Sequence, residues 1–249
     1  MAGHSQFKNI MHRKGAQDAK KAKIFTKLIR ELTVASREGG QDPHSNPRLR
    51  AAVIAAREAN MTRDTMDRAI SRGAGNLEGE NYEEIRYEGY GPGGAAVIIE
   101  ALTDNRNRTA PEIRSAFTKS GGSLGETNSV SFQFQRVGLI EYPQSKVSAE
   151  DLFEKALEAG AEDVTQEGDL HQIYCDFNDL QTVRDALIAQ LGDPTSAKLI
   201  WKPLNLVPVQ DEDTAKSLLK LMDTLEDNDD VQRVFSNFDI PESILDKLA

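Results

Sequence analysis

Cysteine is nearly absent: Cys175 stands alone in 249 residues, so no internal disulfide and no multi-cysteine metal site can form. That usage fits a reducing compartment. Histidine is scarce as well, and His4, His12, His44 and His171 lie far apart without the paired spacing of a zinc site. No metal is expected. No run approaches the roughly 18 apolar residues that a membrane helix needs, and the first 23 residues hold no signal-peptide apolar block. The expectation is a cytoplasmic protein with no membrane partner. Chemistry is equally thin, since Cys175 sits mid-strand in Ile173-Tyr-Cys-Asp-Phe177 with no activating base placed near it by sequence. It reads as core, and the chain reads as a non-enzyme with no catalytic residues, no cofactor and no small-molecule substrate.

What is present suffices for a folded body. With 39% hydrophobic and 28% charged residues wholesale disorder is excluded, and the length suits two or three modules of about 100 residues each. The net charge of −10 is unevenly distributed: residues 1–75 carry 15 Lys plus Arg against 7 Asp plus Glu, whereas the remaining 174 carry 15 against 33. A segment of net +8 therefore precedes one of net −18. An acidic total argues against polyanion partners, but a segregated basic end is the electrostatic footprint of a nucleic-acid binder.

Phe25, Leu28, Ile29 and Leu32 recur at i, i+3, i+4 and i+7, which predicts a helix from about Gln17 to Arg37 with one apolar face. At 100° per residue, Lys20, Lys23, Lys27 and Arg30 share an arc of about 80° on the opposite side. They read as a cationic face with no packing duty. Asn46-Pro47 should cap and open a second helix with Leu49, Ala52, Val53 and Ala56 buried, and Thr62 a third with Met66, Ala69 and Ile70 inward. Gly73 is the expected left-handed stop of that third helix.

Past a turn-rich stretch at 76–80, β character begins at 84–90 and 95–103. Gly89-Tyr-Gly-Pro-Gly-Gly94 matches G-x-G-x-x-G, but a dinucleotide loop must open a helix, and Ala95-Ala-Val-Ile-Ile-Glu-Ala-Leu102 reads as a buried strand. A hairpin turn is expected there. Strand 138–142, helix 149–159 capped by Ser148, strands 162–166 and 170–177, helix 179–190 and strand 197–202 spell β-α-β-β-α-β, the ferredoxin-like arrangement. The flanks supply strand 95–103, helix 109–119 and strand 129–135, then strand 206–209, helix 212–226 and strand 231–237, the same order once joined. The fold class is therefore α+β: an N-terminal helical bundle followed by two ferredoxin-like α+β domains, one inserted in the other. The expected domains are 1–78, 79–136 plus 205–249, and 137–204.

The candidate binding residues follow from charge. Lys8, Arg13, Lys14, Lys20, Lys21, Lys23, Lys27 and Arg30 are opposed only by Asp18 within 30 residues, a density suited to phosphate neutralisation and counterion release. His4, Phe7 and His12 add flat rings able to stack on unpaired bases. An amphipathic membrane-surface helix explains less, because Phe25, Leu28, Ile29 and Leu32 are needed to close the bundle. In Asp104-Asn-Arg-Asn-Arg-Thr109 a strand turns into a helix that Thr109 or Asn107 could cap, and Arg106 with Arg108 could hold phosphate there. The alternative is solvated arginines, or an ion pair to the acidic body. The run Glu226-Asp-Asn-Asp-Asp230 reads as a solvated loop.

Several short motifs then agree in order and spacing: Met1-Ala-Gly-His-Ser5 with Asn9-Ile10, His12, Lys14 and Lys21, Gly39-Gly-Gln-Asp-Pro43, Asn60-Met61, Arg68-Ala-Ile70 and Tyr87-Glu-Gly-Tyr-Gly-Pro-Gly-Gly94. On these the chain resembles the YebC/PmpR family end to end, with Gln6-Phe7 where that family commonly has Lys-Trp. The resemblance implies three domains, a cytoplasmic location, no cofactor and a role in gene expression. Members are commonly described as DNA-binding transcriptional regulators, while a mitochondrial relative activates translation and bacterial members act at ribosomes stalled on proline-rich nascent chains. A body of net −18 would be repelled from a long duplex, whereas a basic arm can enter an RNA pocket alone. That favours ribosomal RNA as partner and translation as process, with DNA and transcription as the alternative.

Overall fold

The computed structural model describes residues 17–75 and 82–248, with side chains from Ala22 onward in the first helix. In chain order its elements begin with α1 (Gln17–Gly39), α2 (Pro47–Glu58), α3 (Arg63–Ala74), β1 (Glu83–Tyr90), β2 (Ala96–Thr103), α4 (Arg106–Lys119) and β3 (Ser123–Leu124). They continue with β4 (Phe134–Pro143), α5 (Ala149–Ala159), β5 (Asp163–Glu167), β6 (Leu170–Asp176), α6 (Leu180–Leu191) and β7 (Ser196–Pro203). The chain closes with β8 (Val207–Pro208), α7 (Glu212–Glu226), β9 (Val231–Ser236), β10 (Phe238–Asp239) and α8 (Glu242–Leu248). Two compact units emerge: residues 1–133 with 205–249, and residues 134–204.

In the larger unit α1 packs on α2 and α3 through the apolar stripe read from its sequence, with Leu32 fully buried and Phe25, Leu28 and Ile29 half-buried against Leu49, Val53 and Met66. Asn46 is the joint between the first two helices. Its side chain accepts from the Leu49 N–H at 3.0 Å, opening α2, and donates to the Ala35 and Gly40 carbonyls at 2.7 and 2.8 Å, closing α1. Thr62 caps α3. Gly73 is not the left-handed stop expected of it, because α3 runs on to Ala74 and ends at Gly75 with φ −77°. Its missing side chain serves a close helix crossing instead. A Cβ on Gly73 would lie 2.1 Å from the Thr33 carbonyl oxygen, and beside it the Thr33 and Ser36 hydroxyls donate to the Ala69 and Ile70 carbonyls at 3.2 and 2.7 Å.

The same unit holds an antiparallel sheet in the order β3-β1-β2-β9. Val97 and Ile99 of β2 point toward α4 and α7, where Ile113, Phe117, Leu218, Leu221 and Met222 complete the core. Strand membership differs from the sequence expectation. Segment 206–209 contributes only β8, which pairs in parallel with β10 outside this sheet, and 129–135 is mainly a 3-10 turn at Ser131–Gln133. The place expected for a strand late in the chain is taken by β1, folded back on β2 over eight residue pairs. A tight turn explains the choice, since Gly93 and Gly94 take φ of 69° and 78° and adjacent strands close at the smallest entropic cost. The 129–131 backbone finds other partners: the buried Glu88 carboxylate accepts from the Val130 and Ser131 N–H groups at 2.9 and 2.8 Å. The sheet with α4 and α7 thus keeps a ferredoxin-like spatial order under a different connectivity.

The smaller unit has the β-α-β-β-α-β order read from sequence, with an antiparallel sheet in the order β5-β6-β4-β7. This is the ferredoxin-like layout. Ile140, Tyr142, Ile173 and Cys175 of the sheet pack on Leu152, Ala156, Val183 and Leu187 of the two helices. Ser148 caps α5 by accepting from the Asp151 N–H at 3.1 Å, and Gly160 closes it at φ 96°.

Candidate nucleic-acid interface

Of the sequence-predicted binding residues, His4, Lys8, His12, Arg13 and Lys14 lie outside the described residues, and so do the side chains of Lys20 and Lys21. Lys23, Lys27 and Arg30 do share one face of α1, but that face is not free. It lies on the acidic segment that joins α7 to β9. Lys23 Nζ reaches the Asp227 carboxylate at 2.9 Å, Lys27 Nζ donates to the Glu226 carbonyl at 2.6 Å, and Arg30 Nη1 donates to the Asp229 carbonyl at 2.8 Å. Arg30 also pairs with the Asp230 carboxylate at 2.6 Å and places its guanidinium 5.6 Å from the Tyr82 ring centroid. The expectation that these cations have no packing duty is therefore corrected: spacing of i, i+4 and i+7 lets one helix face engage successive residues of an opposed loop.

The loop itself is corrected too. Asp230, read as part of a solvated run, is 2% exposed and is the centre of the arrangement. Besides Arg30 it accepts from Arg108, whose Nη2 lies 2.9 and 2.7 Å from the two carboxylate oxygens and whose Nε lies 3.2 Å from Oδ2. The buried Thr109 hydroxyl donates to Oδ2 at 2.7 Å, and the Thr103 hydroxyl lies 3.3 Å from it. The backbone is tied down as well, because the Asp230 carbonyl accepts from the Leu102 N–H at 2.7 Å and its N–H donates to Asn228 Oδ1 at 2.9 Å. Burial alone would raise the Asp230 pKa, but the hydrogen bonds from Thr109, Arg108 and Arg30 outweigh it and hold the carboxyl below the usual range. Burial lowers the pKa of the Lys27 ammonium, with nearby Glu226 opposing.

The turn at 104–109 separates the two arginines placed there by sequence. Asn105, rather than Thr109 or Asn107, caps α4, accepting from the Arg108 N–H at 3.2 Å. Thr109 is instead buried on Asp230, where its hydroxyl is worth more than at a solvated helix end. Arg108 is engaged by Asp230 and Asp104, which raises its pKa further. Arg106 is exposed. Arg108 is exposed as well, so what distinguishes the two is the pair of carboxylates, Asp230 and Asp104, that hold Arg108.

Asp230, Thr109 and Thr103 were not legible as functional residues. The one available signal was charge complementarity, four carboxylates within 226–230 facing a helix whose cations share one phase. The G-x-G-x-x-G stretch forms the β1–β2 hairpin turn. Among the described residues no group of three or more His, Cys, Asp or Glu side chains is arranged to hold a metal, and no helix is long and apolar enough to cross a membrane.

Among the described residues, an N-terminal helical bundle precedes antiparallel α+β domains, and its basic first helix docks on an acidic loop. Comparison with known proteins gives the family. Residues 5–76 match the model of the TACO1/YebC protein N-terminal domain, and residues 82–238 match that of the TACO1/YebC second and third domain. The chain belongs to the TACO1/YebC family, which places it among regulators of gene expression. It is similar in structure to a conserved hypothetical protein, Aq1575, from Aquifex aeolicus, with 50% sequence identity and a TM-score of 0.84 over 92% of this chain and 94% of that one.

Proposed function

We propose that this protein is a non-enzymatic regulator that binds nucleic acid through its N-terminal basic end, with ribosomal RNA as target and translation of proline-rich sequences as the process it assists. The observation that carries the reading is the charge segregation, net +8 over residues 1–75 against −18 over the rest. The docking of Lys23, Lys27 and Arg30 sharpens it. Binding then rests first on Lys8, Arg13, Lys14, Lys20 and Lys21, opposed over residues 1–21 only by Asp18, with His4 and His12 available for stacking and Arg106 as an accessory phosphate contact. The division into 1–78, 79–136 with 205–249, and 137–204 assigns binding to the first part and leaves the other two as an acidic body. That body favours an RNA pocket, which a short basic arm can enter alone, over a long DNA duplex that would face the whole negative surface. The reading needs no cofactor and assigns a cytoplasmic location.

The test is crosslinking in cells followed by sequencing of both bound RNA and bound DNA, on the full chain and on a Lys8→Ala, Arg13→Ala, Lys14→Ala variant. Recovery of ribosomal RNA that drops in the variant, with loss of sedimentation beside ribosomal particles, is the expected result. Recovery of promoter DNA with ribosome association intact reverses the assignment in favour of transcription. Point substitutions are preferable to removing residues 1–79, because that deletion would strip Arg30 from Asp230.

A further inference from the structure

The inference concerns regulation of the same site and rests on the nucleic-acid reading above. Loop 226–230 presents to α1 what a nucleic-acid backbone would present: closely spaced anionic and carbonyl oxygens along the line of Lys23, Lys27 and Arg30. We propose that this loop is an intramolecular competitor, a latch that occupies the cationic face of α1 and is displaced when a single-stranded RNA engages the basic end.

Two features make the latch releasable. The outer contact is weak, because the Lys23 and Asp227 side chains are 38% and 68% exposed, and pairs in water contribute about 0–1 kcal/mol. The inner contact is shared. Breaking a buried ion pair is normally costly because it strands a charge, but Asp230 holds two guanidiniums. When Arg30 leaves, the carboxylate keeps Arg108, Thr109 and Thr103. The Asp230 carbonyl also stays on Leu102, and Asn228 stays on the Leu225 carbonyl and the Glu112 carboxylate, so the loop keeps its own anchors when the α1 cations let go. Asp230 is thus a positioning residue whose second arginine lets it release the first. Displacement would free Lys23, Lys27 and Arg30, giving RNA three phosphate contacts that the closed form withholds.

Two measurements on the full-length protein test this. Hydrogen exchange of the 226–231 amides is followed with and without a single-stranded RNA oligonucleotide at low salt, and the affinity of Asp227→Asn is measured against salt concentration. Release of the latch predicts faster exchange in 226–231 on RNA addition. Asp227→Asn should bind several-fold more tightly, with the slope of log K against log salt steeper by about 0.7, because Lys23 loses its carboxylate and keeps only the Asp227 carbonyl at 3.2 Å. If RNA binds, the loop amides keep their exchange rates and Asp227→Asn leaves affinity and slope unchanged, the contact is a fixed domain joint and the latch is wrong while the binding reading stands. If the wild-type chain binds no RNA, the binding reading falls and the latch falls with it. Asp227→Asn removes only an exposed partner, so loss of folding does not confuse the outcome.

Discussion

Arg30 and Asp230 are 200 positions apart in sequence and 2.6 Å apart in space, joining the basic helix to the turn that opens the last long strand. The pair sits at the end of β2, where the Leu102 carbonyl also accepts from Arg30 at 3.3 Å. One carboxylate therefore ties together α1, the start of α4 and the entry to β9.

Replacing that carboxylate should be costly. Asp230→Asn keeps the shape but leaves Arg30 and Arg108 without their shared anion, so unfolding free energy should fall by about 3 kcal/mol in urea titrations at neutral pH. The pH dependence carries a sign. Because the folded carboxyl titrates below its unfolded value of about 3.9, its contribution is complete above that pH and is lost as pH falls through the lower folded value. Asp230→Asn should therefore flatten the acid limb of the stability curve below about pH 4; an unchanged limb would mean other carboxylates govern it.

Gly73→Ala should disrupt the helical bundle, since the new methyl would meet the Thr33 carbonyl oxygen at 2.1 Å and the Ser36 Cβ at 2.9 Å. A loss of about 2 kcal/mol or more is expected from overpacking. Gly75→Ala is the control: its nearest contact would be 3.6 Å, and its φ of −77° suits any residue. That change should be neutral or stabilise by about 0.5 kcal/mol. Equal effects at the two positions would refute the close-crossing explanation.

These two sites mark where sequence reading reached and where it stopped. The α1 stripe, the Asn46 and Ser148 caps and the β-α-β-β-α-β unit were legible because each depends on neighbours within a few residues or on a local run of elements. Gly73 was misread because a glycine near a helix end fits a left-handed stop and a close crossing equally well, until the facing backbone at Thr33 is placed. Asp230 was invisible for a related reason. Its partners Arg30, Thr103 and Arg108 come from three other segments, and a carboxylate run looks solvated in any window that excludes them. The role of β1 was missed because the expected symmetry of the flanks competed with a short hairpin that closes locally. The basic end, by contrast, was visible in composition alone, which reports charge density but not which charges are already engaged.

Cys175 offers a check on the core of the smaller unit. Burial, with Asp179, Glu162 and Asp176 adding negative potential, pushes its thiol up to about 11. At pH 8 about one molecule in a thousand would then carry the reactive thiolate, and the side chain is fully enclosed. Reaction with a disulfide reagent should be at least about 100-fold slower in the native chain than in denaturant. Comparable rates would show that β6 opens readily or that the thiol is not enclosed.

Arg106 and Arg108 stand two residues apart at the start of one helix and should separate completely by experiment. Arg108 is held by Asp230 and Asp104, and Arg108→Ala removes charge-assisted bonds around a buried carboxylate. Its own side chain is 41% exposed, so the loss should be about 1–2 kcal/mol, less than for a buried pair. Arg106 is exposed, and Arg106→Ala should leave stability within about 0.5 kcal/mol. Binding should show the reverse pattern. If Arg106 contacts phosphate, its loss weakens RNA binding and lowers the slope of log K against log salt by about 0.7, as one released counterion requires. Paired measurements of thermal unfolding and RNA affinity at several salt concentrations decide the matter. A stability loss confined to Arg108→Ala and a slope change in Arg106→Ala support the division of labour. If Arg106→Ala binds like the wild type at every salt concentration, the accessory contact does not exist and the nucleic-acid surface is confined to the basic end of the chain.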